Sequence, residues 1–259
     1  MHPLKIMSNM SEIIYWTLID FLQTSLENKA GFLSPAELQK LSTLRFPKRR
    51  NEWLMGRWAA KSLIQSIPAY QHFSLDEIEI QNGSEGAPYF RSPGGSASPD
   101  CLTISHSGRF ALCALALGSD LRVGADLEKI EPRTETFIQD YFSPAERQLV
   151  DTYPAEIRAT VVNLIWSAKE SMLKALGVGL HWDTRQVEIH EIGGFIPGDA
   201  NHGKWQKMQV SDLQQGNRHW GAWWQRRSNF VITLVGFTTM FANIQSALLV
   251  EKWIQKGIA

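Results

Sequence analysis

The sequence predicts an α+β protein of two similar halves, each a small, mainly antiparallel sheet packed with helices. Three observations carry this. Short strand-like runs such as "CLTISHS" and "RFALCALAL" follow one another across tight turns. The helix-start signature Ser-Pro-Ala-Glu occurs once in each half, at residues 34–37 and 143–146. Each half also carries one long helical stretch beside its strand-like runs. With 259 residues, 44% hydrophobic and 20% charged, the chain has ordinary globular composition. The two halves are expected at 1–118 and 119–259.

The elements follow in order. "EIIYWTLI" is a buried strand, rich in isoleucine and aromatics. In "LSPAELQKL", Ser34 caps a helix, Pro35 opens its first turn and Glu37 completes a capping box. "KRRNEWLMGRWAAKSLI" is a second helix that ends before Pro68. "LDEIEIQ" alternates as a strand does, and "NGSEGAPYF" is a turn entering another. The glycine, proline and serine of "RSPGGSASPD" mark a loop, after which "CLTISHS" and "RFALCALAL" form two strands. In the second half, Val123, Ala125 and Leu127 alternate with Gly124, Asp126 and Glu128, the period of a half-buried strand. "FSPAERQLV" repeats the capping signal through Ser143, Pro144 and Glu146. A long helix spans about Glu156 to Leu176, with Gly177 as its C-terminal stop. "RQVEIHE", "WQKMQV", "HWGAWWQ" and "NFVITLVGF" are strands, and "ANIQSALLVEKWIQ" is a last helix. Capping boxes are common, so the repeated signature alone reads as two independent helix starts. Duplication is the alternative, which the similar layout of the halves fits.

The formal net charge is +0, so no whole-protein field points to nucleic acid or to a membrane surface. Two cysteines, Cys101 and Cys113, make no disulfide framework and no zinc spacing. The N-terminal "MHPLKIMSNM" lacks the order of a signal peptide, and no apolar run approaches the ~20 residues of a membrane span. A cytoplasmic protein is expected.

The long helix is apolar on two sides. At ~100° per residue, Ile157, Val161, Leu164, Ala168, Met172 and Ala175 form one stripe. Trp166, Glu170 and Lys174 follow one another on roughly the opposite side, flanked by Val162 and Leu173. A helix apolar on two sides is packed on two sides. This one should lie at a junction, with Glu170 and Lys174 in or beside a cleft. Asp126 and Glu128 project from one strand face, and with Glu170 they would give three carboxylates, the oxygen set that Mg²⁺ accepts. Three carboxylates in a cleft need a counter-charge. The segment "PKRRNEWLMGRWAAK" sets Lys48, Arg49, Arg50, Arg57 and Lys61 against the one acid Glu52, a grouping that suits phosphate or, equally, a solvated face. His106 stands between serines in "ISHSGRF".

"VGADLEKI" followed by "WSAKESMLK" resembles the paired signature of the larger, surfactin-synthetase-activator type of 4′-phosphopantetheinyl transferases. Trp166, Lys169, Glu170, Ser171 and Lys174 match every defined position of the helix part. "ISHSGR", "KRRNEWLMGR" and "SPAELQKL" are similar to further segments of the family, and the likeness covers most of residues 30–180. Two positions depart. Ala125 stands where a larger residue is usual, and Ala87 stands where many members have a lysine between glycine and proline.

The resemblance implies two pseudo-twofold halves with the active site between them. It implies coenzyme A as donor, the serine of an acyl or peptidyl carrier protein as acceptor, and Mg²⁺ (or Mn²⁺) as cofactor. The pathways it implies are fatty-acid, polyketide or nonribosomal-peptide synthesis. No nucleic-acid or membrane partner is expected, and the cleft could be completed by a monomer. Asp126, Glu128 and Glu170 would hold the metal. Glu170, or water held by the ion, would accept the serine proton, and Lys174 would neutralise the leaving bisphosphate. Lys48, Arg49 and Arg57 would hold the 3′-phosphate and orient the nucleotide, and Ser105 and His106 would contact the same end. Glu146 is expected to serve its own helix. The rival readings are a Mg²⁺-dependent hydrolase of nucleotide pyrophosphates and a non-catalytic module that binds carrier proteins or coenzyme A.

Overall fold

Strands whose every residue is apolar or small must be covered on both faces, and the two sheets of this protein are. The computed structural model describes residues 13–21, 26, 30–94, 96–194, 203–214, 218–238 and 248–251. The first half contains β1 (Ile13–Asp20), α1 (Pro35–Thr43), α2 (Pro47–Gln65), β2 (Glu79–Asn82), β3 (Pro88–Arg91), β4 (Cys101–Ser107) and β5 (Phe110–Ala116). The second contains β6 (Leu121–Lys129), α3 (Glu135–Tyr141), α4 (Pro144–Asp151), α5 (Arg158–Leu176), β7 (Val187–Ile192), β8 (Gln206–Asp212), β9 (His219–Arg227) and β10 (Phe230–Thr238). β11 (Leu248–Glu251) follows.

The strands form sheets of order β11-β1-β5-β4 and β6-β10-β9-β8-β7, with β2 and β3 as a separate hairpin. All described pairings are antiparallel except β1 with β11. Alternation along β5 sends Ala111, Cys113 and Leu115 toward α2. It sends Leu112, Ala114 and Ala116 into a core between the two sheets. There they meet Val123, Ala125 and Leu127 of β6 and Ile232 and Leu234 of β10. Val231 and Val235 of β10 face the core under α5. The layers are therefore helix, sheet, sheet, helix.

The sheets also meet edge to edge, where side chains of β4 replace a backbone ladder. The amide of Val123 donates to Cys101 Sγ (3.4 Å), and that of Ala125 to Thr103 Oγ1 (3.3 Å). Ser105 Oγ donates to Asp126 Oδ1 (2.8 Å). Both cysteines are free, Cys113 buried and Cys101 half-buried.

The halves repeat one another in detail. In the first, Glu37 Oε2 accepts from the Ser34 amide (2.9 Å) and Oε1 from the Ile80 amide (3.1 Å), while Ser34 Oγ bonds Glu79. In the second, Glu146 accepts from Ser143 (2.9 Å) and Ile189 (3.0 Å), while Ser143 Oγ bonds Glu188. The separations match: 43 residues from acid to amide and 45 from cap serine to glutamate, in both halves. Each acid also takes a lysine from the following long helix, Lys61 and Lys169. Two independent helix starts would not reproduce this network, so the recurrence of Ser-Pro-Ala-Glu reflects duplication.

Three expectations shift. Of "LDEIEIQ" only the last three residues lie in the strand Glu79–Asn82, since residues 75–77 form a turn. The long helix starts at Arg158, behind a 3-10 turn at Ala155–Ile157. The expected last helix is corrected at Leu248–Glu251, which is strand β11 beside Ile13–Trp16. The edge of β1 left open by β5 offers unpaired amides and carbonyls, and pairing with it outweighs local helix preference. The remaining residues of that stretch, and "MHPLKIMSNM", lie outside the described residues.

Candidate active site

The site begins with a glycine. A Cβ on Gly124 would lie 1.8 Å from the Ser171 carbonyl oxygen and 2.7 Å from the Ala175 amide nitrogen. Only glycine lets α5 cross β6 this closely. The contacting face of α5 is small and hydroxylic: Ser167 and Ser171 share hydrogen bonds with Thr233 Oγ1 (2.9 and 2.7 Å). Thr233 is the cross-strand partner of Asp126. The strand motif and the helix motif are thus pressed together.

The two-sided helix is explained by what each side meets. Trp166 packs edge-on against Phe137 and Tyr141, ring centroids 5.0 Å apart in both cases, and hydrogen-bonds Glu128. Lys169 is 0% exposed and donates to Glu146 Oε2 (2.6 Å) and the Val187 carbonyl (2.7 Å). Glu146 indeed serves its own helix, through Ser143, and ties it to β7 as well.

Glu170 and Lys174 emerge beside Asp126. Lys174 Nζ donates to Asp126 Oδ1 (2.6 Å) and to the Ala125 carbonyl (3.3 Å), and lies 3.9 Å from Glu170. Asp126 Oδ2 is buried without a hydrogen-bond partner. Glu128 accepts from Arg133 (2.8 Å), whose Nε donates to Asn163 (2.8 Å). Burial, and then repulsion from Asp126 and Glu170, push the Glu128 carboxyl up to about 7 against the pull of Arg133. Burial chiefly, with Asp126 adding and Lys174 opposing, also raises Glu170. The three carboxylates therefore feel one another, with Lys174 and Arg133 as counter-charges. Among the described residues no three His, Cys, Asp or Glu groups are arranged so that they could hold a metal ion as they stand. The donor set nonetheless fits a hard cation: all oxygen, mutually repelling, with one buried oxygen unclaimed.

The basic segment divides. Burial lowers the His106 pKa, and of the charges around it Glu52 raises it while Arg49 and Lys174 lower it further. Arg49 from α2 and Lys174 from α5 thus converge on His106, next to Ser105. Lys48 is exposed at the helix surface, 4.0 Å from Glu52. Arg57 is 7% exposed, donates to Asn82 Oδ1 (2.9 Å) and stacks over Trp53. Lys61 is fully buried on Glu37 and the carbonyls of Phe32 and Leu75. Arg50 donates to the Leu41 carbonyl (2.9 Å). Arg50, Arg57 and Lys61 therefore do not form one solvated or phosphate-facing stripe. Between the halves lies a cavity of about 710 Å³, lined by Ala87 and Tyr89 from the first and Arg122 and Lys174 from the second.

Residues 122–235 match the 4′-phosphopantetheinyl transferase superfamily. The 4′-phosphopantetheinyl transferase HetI of Nostoc sp. is 27% identical over 172 residues, covering 65% of this chain and 70% of that protein. The stretch that carries Asp126, Glu128, Glu170 and Lys174 is therefore similar to 4′-phosphopantetheinyl transferases. Sfp of Bacillus subtilis strain 168 is 26% identical, over 70% of this chain and 78% of that one. A second Bacillus subtilis 4′-phosphopantetheinyl transferase is 33% identical over 48% of this chain and 54% of its own length. A crystal structure of a holo-(acyl-carrier-protein) synthase from Bacillus anthracis in complex with CoA (3′,5′-ADP) is 25% identical and covers 42% of this chain and 98% of that one, with a TM-score of 0.36.

Some residues around the site carry no motif in the sequence. Arg133 and Asn163, which hold Glu128, are two. A cation five residues beyond Glu128, in "EPRTE", was the available signal for Arg133. Nothing in the sequence marked Asn163, whose neighbours become neighbours only through folding.

Proposed function

We propose that the chain transfers 4′-phosphopantetheine from coenzyme A to the serine hydroxyl of an acyl or peptidyl carrier protein, leaving adenosine 3′,5′-bisphosphate. The observation that carries this is the meeting of Glu170, Asp126 and Ser105 around Lys174, which itself lines a cavity between the halves. The match of residues 122–235 to the 4′-phosphopantetheinyl transferase superfamily supports the reaction class.

The residues divide the work. The serine oxygen attacks the phosphorus that carries the pantetheine arm, and the bond from that phosphorus to the bridging oxygen breaks. Glu170, whose carboxyl is raised by burial, is suited to take the serine proton. Lys174 places a positive charge beside the departing bisphosphate. We assign Asp126, Glu128 and Glu170 as the residues that would hold Mg²⁺ or Mn²⁺, which when bound withdraws charge from the pyrophosphate. Lys48, Arg49, Ser105 and His106 are proposed to hold the nucleotide. Arg57, committed to Asn82 and Glu37, is reassigned to fastening α2 to β2.

The cleft is complete within one chain, which supports a monomer. Two free cysteines support a reducing, cytoplasmic setting. Among the described residues no helix is long and apolar enough to cross a membrane. The test is a panel of apo carrier proteins incubated with coenzyme A and Mg²⁺, read by mass spectrometry. A gain of one phosphopantetheine group on the carrier serine is expected. Steady release of phosphopantetheine from coenzyme A without carrier would instead mark a hydrolase.

A further inference from the structure

A cation beside a candidate metal site needs a reason, because it repels the ion and competes for its ligands. Arg133 is such a cation, and the structure fixes it in place. Its Nη2 donates to Glu128 Oε2 (2.8 Å) and its Nε to Asn163 Oδ1 (2.8 Å). Asn163 is fully buried and is itself held, since its Nδ2 donates to the Glu131 and Ala159 carbonyls (2.6 and 2.7 Å). The guanidinium lies over the Phe137 ring, 5.2 Å from its centroid. Phe137 packs on Trp166, which hydrogen-bonds Glu128, so the circuit closes on that carboxylate.

The neighbouring acid repeats the pattern. Asp126 gives Oδ1 to Lys174 (2.6 Å) and Ser105 (2.8 Å) and keeps Oδ2 buried with no hydrogen-bond partner. In both carboxylates of β6 a side-chain cation thus claims one oxygen. The number of oxygens a carboxylate can offer separates the common divalent cations. Mg²⁺ demands a tight octahedron at about 2.0–2.1 Å, whereas Ca²⁺ takes about six to eight oxygens at about 2.3–2.6 Å and accepts carboxylates that give both.

We propose that Arg133 is a specificity-determining positioning residue: by holding Glu128 Oε2 it keeps Glu128 a one-oxygen ligand, and so favours Mg²⁺ over Ca²⁺. This rests on the metal assignment made above and adds a residue which that assignment does not use. Loss of a nearby positive charge would by itself strengthen both ions alike, because both are divalent. The selectivity between them therefore reports the geometry of Glu128 and not the charge beside it.

The full chain is titrated with Mn²⁺, with and without coenzyme A, and free Mn²⁺ is read by electron paramagnetic resonance. Mg²⁺ and Ca²⁺ then displace the Mn²⁺ to give their own affinities. In Arg133→Met, Ca²⁺ is expected to gain about tenfold on Mg²⁺, the scale on which contacts to a metal's ligands act. Arg133→Gln is a second truncation with the same expected shift, for use should the first not fold. Arg133→Lys keeps the charge and a donor and should retain most of the wild-type ratio. Adding Glu128→Gln to Arg133→Met takes away the second carboxylate oxygen, and the Ca²⁺ gain should vanish. An unchanged or reversed ratio in the truncations, equal strengthening of both ions included, overturns this inference alone when the wild-type chain binds Mn²⁺ and modifies a carrier. A wild-type chain that takes up no Mn²⁺ overturns the metal assignment and this inference with it; one that also modifies no carrier overturns the transferase reading.

Discussion

At the scale of single residues, the site holds its charges in a balance that a divalent cation would change. Lys174 and Arg133 neutralise two of three mutually repelling carboxylates, and Asp126 keeps one buried oxygen unclaimed. In the proposed reaction Glu170 is the carboxylate that takes the proton, and its cationic neighbour Lys174 is drawn to Asp126. Glu170→Gln preserves shape and removes the basic oxygen. Turnover with a responsive carrier protein is expected to fall about 10²-fold or more at saturating coenzyme A and Mg²⁺. The thermal midpoint in EDTA should stay the same or rise, since a raised carboxylate that repels Asp126 is gone. Steady-state kinetics and thermal melting on the same preparation decide it; wild-type turnover would remove Glu170 from the chemistry. The position of Glu170 beside Lys174 and Asp126 was legible in the sequence, because a helix with apolar residues on both sides should not carry a glutamate and a lysine toward water. Lys61 and Lys169 were not legible as structural residues. A lysine is expected at the surface, and their burial depends on acids more than 20 residues earlier in the chain.

At the scale of elements, the contact between β6 and α5 sets where Glu170 and Lys174 stand. Local signals reported the helices well: both capping boxes form as expected, and Gly177 ends α5 in a left-handed conformation, φ 73°. They failed where a partner strand decides, as at β11, whose short apolar run pairs with an edge far away in sequence. Gly124 lies between these cases. The sequence shows a glycine inside a strand, but only the packed structure shows the helix backbone that excludes a side chain. Gly124→Ala would place its Cβ on the Ser171 carbonyl, a backbone atom that cannot rotate away. The helix must lift. Overpacking of this kind is expected to destabilise the protein by about 1–3 kcal/mol in denaturant titrations. Transfer should fall further than the folded fraction does, because displacing Glu170 and Lys174 by about 1 Å can lower the rate about 10²-fold. A variant with unaltered midpoint and unaltered transfer would show that α5 is not seated on that glycine.

At the scale of the molecule, two similar supersecondary units share one core. Each copy has its own anchor, a buried glutamate that caps one helix, bonds the next strand and holds a buried lysine under an aromatic ring. The copies share the core between their sheets, the side-chain zipper of β4 along β6, and β11, which follows the second half in the chain and pairs in the first sheet. Lys61→Met and Lys169→Met remove one cation from each anchor and keep the length of the stem. Each leaves a buried carboxylate without its partner, which typically costs about 3–5 kcal/mol. Because the anchors are equivalent, the two variants should lose similar stability, even though only Lys169 belongs to the helix that carries Glu170. Because the halves share a core, each variant should still unfold in one transition, with tryptophan fluorescence and far-ultraviolet circular dichroism coincident along a urea titration. Two separated transitions in either variant would mean that the halves are independent domains. The cleft would then depend on docking rather than on a common core.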